Sequence, residues 1–267
     1  MKKRGLRIMV IIVTVLAAAV LWIAFCGYQW SWGSFARLHD MKTASLPGNG
    51  AQYGLNRAGA VPNSPLAGKT VVFLGSSVTY GASSQGVSFA DYIGARNDCT
   101  IIKEAVSGTT LVDEGIGSYI SRLRKLDIPQ ADLFVCQLST NDATQGKPLG
   151  KVSDTMNTDD FDTATVAGAI EYIIAYAPDT WGCPVVFYTN PRYDSSAYGE
   201  MVALLHQIAD KWDIAIIDLW NDADFNDINA EQRALYMADG IHPTQAGYLE
   251  WWTPAMEPIL YQAVEGK

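Results

Sequence analysis

The sequence has few basic residues, and their distribution excludes one large class of function. The 267 residues include 19 lysines and arginines against 28 aspartates and glutamates. Lys2, Lys3, Arg4 and Arg7 lie in the first 26 residues, which hold no acid, so the remainder has 15 basic and 28 acidic residues and a formal charge of −13. Binding to nucleic-acid phosphates needs a basic patch. We therefore expect no nucleic-acid partner.

Cysteine is also scarce, and the usual signatures of metal and nucleotide sites are missing. The four cysteines are Cys26, Cys99, Cys136 and Cys183, and no two form a C-x-x-C pair. The sequence contains no Walker loop, Rossmann fingerprint or cluster of metal ligands. Residues 222–233 begin like a calcium loop, but Asp227 stands where glycine is needed and Arg233 where glutamate is needed. We expect neither a cofactor nor a metal.

The N-terminus carries one long apolar run. Residues 8–26 include no charge over 19 positions, close to the roughly 20 that a helix needs to cross a bilayer. The basic residues before it should stay in the cytoplasm. A cleaved signal peptide is the alternative, but its apolar region usually has only about 7–15 residues. We predict that residues 1–26 are a cytoplasmic basic end and a single-pass anchor in the cell membrane, with the rest of the chain extracytoplasmic.

The remaining chain divides into a linker and an α/β domain. Residues 27–66 are rich in glycine, serine, proline and asparagine, which predicts a stalk with little regular structure. From residue 67 to residue 267, apolar runs alternate with helical patterns. The predicted strands are 71–74, 100–103, 133–138, 185–188 and 214–218, and the predicted helices are 88–97, 118–126, 163–177, 197–212 and 244–260. This alternation indicates a five-stranded parallel sheet covered on both faces. The long polar connection 143–161 is either a functional loop or a solvated surface loop.

The first strand and the C-terminal region carry residues suited to nucleophilic catalysis. Ser77 lies in GSSVTYG directly after the first strand, where open α/β sheets bind ligands. Taken alone, a glycine- and serine-containing turn after a strand is structural more often than catalytic. A serine hydroxyl needs a base, usually histidine, and a carboxylate to orient that base. Asp239 and His242 stand three positions apart in the turn DGIHP. His39 lies in the predicted stalk and His206 in a helix beside apolar residues, so His242 is the best candidate for the base.

Polar residues also follow the other strands. Gly108 follows the second strand and Asn141 the third, and a glycine N–H and an amide are suitable donors to an oxyanion. Either position alone is more typical of a turn than of a functional site. Arg192 and Tyr193, after the fourth strand, either contact substrate or form a surface turn. Asp218, at the end of the fifth strand, is an alternative acid, although a helix cap or a surface carboxylate accounts for it better.

The ordered set GSSVTYG, AVSGTT, STND and DGIHP resembles the SGNH (GDSL) hydrolases from about residue 71 to the end of the chain. The resemblance implies a flavodoxin-like three-layer fold. It also implies that Ser77 is the nucleophile and that Asp239 and His242 complete a triad. An oxyanion hole would then consist of the Ser77 and Gly108 N–H groups and the Asn141 amide.

The resemblance has two departures and one consequence for the cysteines. Ser76 stands where the family usually has aspartate, and Ser139 where it usually has glycine, which weakens assignment to any subgroup. The strand order that the fold implies, 2-1-3-4-5, places Cys99 and Cys183 three strands apart. At about 4.8 Å per strand this is about 14 Å, beyond the roughly 7 Å limit for a disulfide. We therefore expect free thiols.

These features predict an extracytoplasmic serine ester hydrolase. Its substrate would be a small-molecule or glycan ester carrying a short, acetyl-type acyl group, because loop 143–161 has few apolar residues to line a fatty-chain tunnel. A lipid acyl hydrolase or an acyltransferase is an alternative within the enzymes. A glycan-binding module without catalysis is an alternative of a different class.

Overall fold

The computed structural model describes residues 2–30 and 33–266, and its centre is one parallel sheet. The strands are β1 (Thr70–Gly75), β2 (Thr100–Ala105), β3 (Leu133–Gln137), β4 (Val185–Tyr188) and β5 (Ala215–Ile217). Their order is β2-β1-β3-β4-β5, with every neighbouring pair parallel. The predicted five-stranded sheet is confirmed, and each predicted strand end lies within two residues of the observed one.

Helices cover both faces of the sheet. They are α1 (Lys2–Trp30), α2 (Arg37–Ala44), α3 (Ser77–Tyr80), α4 (Phe89–Asn97), α5 (Tyr119–Leu123), α6 (Thr140–Thr144), α7 (Val166–Trp181), α8 (Ser196–Trp212), α9 (Ala223–Asn226), α10 (Ala230–Tyr236) and α11 (Thr253–Glu265), the last preceded by a π-helical segment, Gly247–Trp252. Helix α7 begins later than predicted because the Thr165 hydroxyl caps it, accepting from the Gly168 N–H at 3.2 Å.

Alternate side chains of strand β3 are buried in two hydrophobic cores, one on each face of the sheet. Leu133 and Val135 are buried on the face that is covered by α4 and α11. Phe134 and Cys136 are buried on the opposite face, against α5, α7 and α8. Successive side chains of a strand point to opposite faces, so an unbroken apolar run is what a sheet covered on both sides requires. The three-layer α/β fold is therefore confirmed.

The N-terminal helix is long and apolar enough to span a membrane. The apolar part of α1 is Arg4–Tyr28, and none of its most apolar window is buried. A signal sequence would have the same properties, so the helix is a candidate membrane span.

Residues 33–66 differ from the predicted stalk. They form α2 and four 3-10 turns, Gly33–Phe35, Pro47–Asn49, Ala51–Tyr53 and Leu55–Arg57. Asn49, Ala58 and Leu66 are buried in the described structure. The expectation of little regular structure was wrong here because turn-forming residues close short helical turns that pack on the α/β domain. The boundary at residue 66 stays a prediction.

The long connection 143–161 is held by a buried ion pair between two helices. The Glu171 carboxylate, fully buried on α7, pairs with the Lys211 ammonium of α8. Glu171 also accepts from the Ser153 N–H at 2.8 Å, and Lys211 donates to the carbonyls of Ser153 and Thr155 at 2.7 and 2.6 Å. The backbone of the loop is thus fixed by the helical layer beneath it.

All four cysteines are free thiols, as predicted. Burial raises the pKa of Cys99 and that of Cys183 to about 11. Both therefore remain protonated and weakly nucleophilic at neutral pH.

Candidate active site

Strand β1 ends in a tight turn that presents Ser77 at the carboxyl edge of the sheet. Ser77 is the first residue of α3, and 8% of its surface is exposed. A side chain at Gly75 would overlap that of Thr79. Gly81 ends α3 at a φ of +87°, a left-handed conformation that favours glycine. Both glycines of GSSVTYG are therefore needed to hold the serine in place.

The structure brings Ser77, His242 and Asp239 into one hydrogen-bonded chain. His242 Nε2 lies 2.8 Å from Ser77 Oγ, and His242 Nδ1 lies 2.9 Å from Asp239 Oδ2. Asp239 Oδ1 also accepts from the backbone N–H groups of Ile241 and His242, each at 2.8 Å. The carboxylate thus closes its own turn and orients the imidazole at the same time.

The electrostatics of the turn keep Asp239 ionised. Partial burial acts to raise the pKa of this carboxyl, but hydrogen bonds from His242 and Ile241 and the charge of His242 outweigh it, so the pKa is lowered to about 2. The Asp239 side chain is 54% exposed and that of His242 25% exposed. The chain of three residues therefore opens directly to solvent.

Asn190 supports the turn that carries His242, and it was not predicted. Its Nδ2 donates to the Ile241 carbonyl at 3.1 Å. Its own N–H donates to the Tyr198 hydroxyl, which in turn donates to the Leu138 carbonyl at 3.0 Å. The sequence signal that could have indicated this role was the position of Asn190 just beyond the end of β4, at the carboxyl ends of the strands.

Gln137 supports the turn that carries Ser77. Its buried Oε1 accepts from the Ser76 N–H at 2.8 Å and from the Thr79 hydroxyl at 2.9 Å. The Tyr188 hydroxyl lies 2.6 Å from the same Thr79 oxygen. A glutamine inside the apolar run of β3 was the sequence signal, since buried polar side chains are nearly always hydrogen-bonded.

Gly108 and Asn141 lie on the two loops that flank Ser77, because β2 and β3 are the neighbours of β1. Gly108 is exposed at a φ of +80°, and no residue beyond its two chain neighbours has an atom within 4 Å of the place where a side chain would begin. Asn141, on α6, donates from Nδ2 to the Thr109 carbonyl at 2.9 Å. The two predicted oxyanion donors therefore sit on loops that contact each other.

Arg192 and Tyr193 lie against an aromatic cluster after β4. The Arg192 guanidinium is 5.8 Å from the centre of the Trp220 ring. The Tyr193 ring packs against those of Tyr198 and Trp220, with centroids 5.2 and 5.5 Å away. Burial raises the pKa of Tyr193 to about 12. Substrate contact by either residue stays a prediction.

Asp218, the alternative acid, belongs to a different pair. It accepts from His206 Nε2 at 2.6 Å and from Asn221 Nδ2 at 2.8 Å. The carboxylate that pairs with His242 is therefore Asp239. Within the residues that the structure describes, no three histidine, cysteine, aspartate or glutamate side chains gather as a metal site would need.

Comparison with known proteins identifies the family. A model of the GDSL-like lipase/acylhydrolase family matches residues 73–249, a span that contains all the candidate catalytic and oxyanion residues. The chain belongs to this family. Membership confirms the resemblance inferred from the motifs and makes this GDSL hydrolase an ester hydrolase of the serine type.

Solved structures show the same fold. The GDSL hydrolase is similar to a protein from Lactobacillus plantarum (21% identity, TM-score 0.60, covering 73% of this chain and 97% of the other). It is also similar to a protein from Bacteroides ovatus described as a GDSL-like lipase (19%, 0.55, 73% and 99%). A member of the lipolytic G-D-S-L family from Veillonella parvula is a third (15%, 0.51, 70% and 96%). A search of curated proteins found no match.

Proposed function

We propose that this GDSL hydrolase is an extracytoplasmic serine esterase with Ser77 as nucleophile, His242 as general base and Asp239 as the carboxylate that orients the base. The observation that carries the proposal is the continuous chain from Asp239 through His242 to Ser77, with contacts of 2.9 and 2.8 Å. These distances are within the reach that proton transfer requires.

The reaction would proceed by two acyl transfers. Ser77 Oγ attacks the ester carbonyl while His242 Nε2 takes its proton, and ionised Asp239 stabilises the imidazolium. Collapse of the tetrahedral intermediate breaks the bond to the alcohol, which leaves with the proton from His242. Water, deprotonated by His242, then attacks the acyl-enzyme and releases the carboxylic acid.

Three donors are suited to the oxyanion of the intermediate. Ser77 is the first residue of α3. Because the first N–H groups of a helix have no acceptor within the helix, the Ser77 N–H is suited to bind the oxyanion. Gly108 is exposed, with open space on the side where a side chain would stand. Asn141 uses one amide hydrogen on the Thr109 carbonyl, and its amide group has a second to offer. A preorganised set of this kind stabilises the charge that develops on the carbonyl oxygen.

The substrate we propose is an ester with a short acyl group, including acetylated glycans outside the membrane. The site opens directly to solvent, with Asp239 half exposed. A cavity of about 580 Å³ lies at the amino ends of β4 and β5, lined in part by Cys183, Val185 and Ala215. Ser77 lies at the carboxyl ends of the strands, at the opposite edge of the sheet from this cavity. The cavity therefore cannot receive the acyl chain of an ester bound at Ser77.

The test uses the full chain in detergent with a fluorophosphonate probe and nitrophenyl esters from acetyl to dodecanoyl. We expect labelling of the unmodified chain and a kcat/KM that is highest for acetyl to butyryl. Ser77→Ala and His242→Ala should each abolish both signals, because the triad acts as a unit, while Ser76→Ala should retain them.

Other outcomes identify the alternatives. A kcat/KM that rises toward dodecanoyl would contradict the short-acyl proposal and favour a lipid acyl hydrolase. Transfer of the acyl group to an added alcohol in preference to water would favour an acyltransferase. No labelling and no turnover would favour a glycan-binding module.

A further inference from the structure

A turn outside the family match reaches the candidate active site. Pro47–Asn49 follows α2 and precedes residue 73, where the match begins. Asn49 is only 7% exposed. Its Oδ1 accepts from the Gln245 N–H at 2.8 Å, and its Nδ2 donates to the Thr43 and Ser83 carbonyls at 2.8 and 2.7 Å. The side-chain amide is therefore fully engaged.

Two of these partners belong to the segments that carry the nucleophile and the base. Ser83 follows α3, the helix that Ser77 opens, and Gln245 stands three positions after His242. The Gln245 side chain also donates to the Ser84 carbonyl at 3.2 Å. Asn49 thus bridges the nucleophile turn and the base turn from a part of the chain far away in sequence.

Asn49 gives the Gln245 N–H a hydrogen-bond acceptor from a distant part of the chain. Gln245 is the first residue of the helical segment that continues through Gly247–Trp252 into α11, and the first N–H groups of a helix lack intrahelical acceptors. The Thr244 hydroxyl caps this segment by accepting from the Gly247 N–H at 3.3 Å. Asn49, 196 positions before Gln245 in the sequence, supplies the acceptor for the Gln245 N–H. The neighbouring Gly48 packs directly against the Leu235 carbonyl and the Thr244 side chain, and a side chain at position 48 would overlap both. The turn is therefore locked in place against the segment that carries His242.

We propose that Asn49 is a positioning residue for this active site. Its amide holds the segment after His242 against the turn after Ser77, and so maintains the 2.8 Å contact between His242 and Ser77. The proposal rests on the proposed function, in which those two residues react. It makes part of the predicted stalk a component of the working enzyme.

The experiment compares two buried asparagines in the full chain in detergent. Asn97 is the control: it is 1% exposed, donates to the Ile93 carbonyl and to Glu257 at 2.9 and 2.8 Å, and accepts from Ser64. None of these partners carries Ser77 or His242. Asn49→Ala and Asn97→Ala are each assayed for Tm, for kcat and KM on an acetyl ester, and for the rate of fluorophosphonate labelling, below both Tm values.

Both variants should lower Tm, but only Asn49→Ala should slow the reaction. We expect its kcat and labelling rate to fall roughly 10- to 100-fold with little change in KM, because small displacements of reacting groups have effects of this size. Asn97→Ala should retain both rates. Equal losses in the two variants, or labelling of Asn49→Ala at the unmodified rate, would overturn the proposal.

A second variant keeps the proposal testable if Asn49→Ala does not fold. Asn49→Asp retains the acceptor for the Gln245 N–H but loses both donors, so it still releases the nucleophile turn from the base turn. Its labelling should remain severalfold slow, and an unmodified rate would contradict the bridge. If the unmodified chain itself is not labelled, the proposed function fails and the role of Asn49 fails with it.

Discussion

At the scale of single residues, two kinds of side chain contribute to the site. Ser77, Asp239 and His242 form the hydrogen-bonded chain and come from motifs that are recognisable in the sequence. Asn190 and Gln137 hold the turns that carry these residues, and their roles follow only from the contacts they make. Supporting residues of this second kind determine whether the reacting atoms are within reach of one another.

Asp239 makes stability depend on pH in a predictable direction. Because its folded pKa is about 2, below the roughly 3.9 of an unfolded aspartate, its contribution is present above about pH 4 and is lost as the pH falls through about 2. Tm measured from about pH 5 to about pH 2 should therefore fall more for the unmodified chain than for Asp239→Asn. Parallel curves would show that the Asp239 interactions do not stabilise the fold.

Asn141 should act on the rate and not on binding. Asn141→Ala should lower kcat by roughly 10²- to 10³-fold, the usual cost of removing one oxyanion donor, and leave KM nearly unchanged. Steady-state kinetics on an acetyl ester measure both. An unchanged kcat would remove Asn141 from the proposed oxyanion hole.

At the scale of elements, the loops after β2 and β3 act together. Asp142, at the start of α6, is almost fully buried and accepts from the Leu111 and Val112 N–H groups at 2.8 and 3.1 Å. Burial raises the pKa of Asp142, and hydrogen bonds from Ser139 and the two backbone groups partly offset that effect. The carboxylate thus anchors the loop on which Gly108 lies.

Removing that anchor should affect stability and rate together. Asp142→Ala leaves two backbone N–H groups without their acceptor, and each buried group left unpaired costs about 1–3 kcal/mol. The free energy of unfolding in urea should therefore fall, and kcat should fall because the Gly108 loop is released. Asp142→Asn keeps one acceptor oxygen and should lose less of both. An Asp142→Ala urea midpoint equal to the unmodified one would contradict this role.

At the scale of the whole molecule, the connection between α1 and the hydrolase domain bears on where the domain lies relative to the membrane. Helix α1 is a candidate span, and α2 lies beside it, with the Lys42 ammonium 4.8 Å from the centre of the Tyr28 ring. From Thr43 onward the chain is bonded to the hydrolase domain through Asn49. The region around α2 is therefore the exposed connection between the candidate membrane span and the hydrolase domain.

The topology that we propose predicts where a protease will cut. Trypsin added to intact cells should cleave after Arg37, Lys42 or the exposed Arg57, which all lie between α1 and β1, and release a soluble fragment. N-terminal sequencing of the fragment measures the site. A protected domain would invert the topology. An untreated product in the medium that lacks residues 1–26 would instead show a cleaved signal.

The sequence by itself determined the fold class, the strand positions and the identity of the three residues in the hydrogen-bonded chain. It could do so because buried parallel strands must be apolar runs and because the motifs that carry the serine, the carboxylate and the histidine, each modest alone, stand together in the order that resembles one family. For Cys99 and Cys183, free thiols followed from the strand order that the family resemblance implied, since that order sets them three strands apart.

Only the tertiary structure decided what holds the site together. Asn49 and Gln245 are 196 positions apart, and no local pattern links an asparagine in a glycine-rich segment to the helix that follows His242. Gln137, Asn190 and Asp142 likewise act through partners from other strands. Long-range hydrogen bonds depend on which segments the fold brings together, and periodicity in a sequence carries information only about neighbours along the chain.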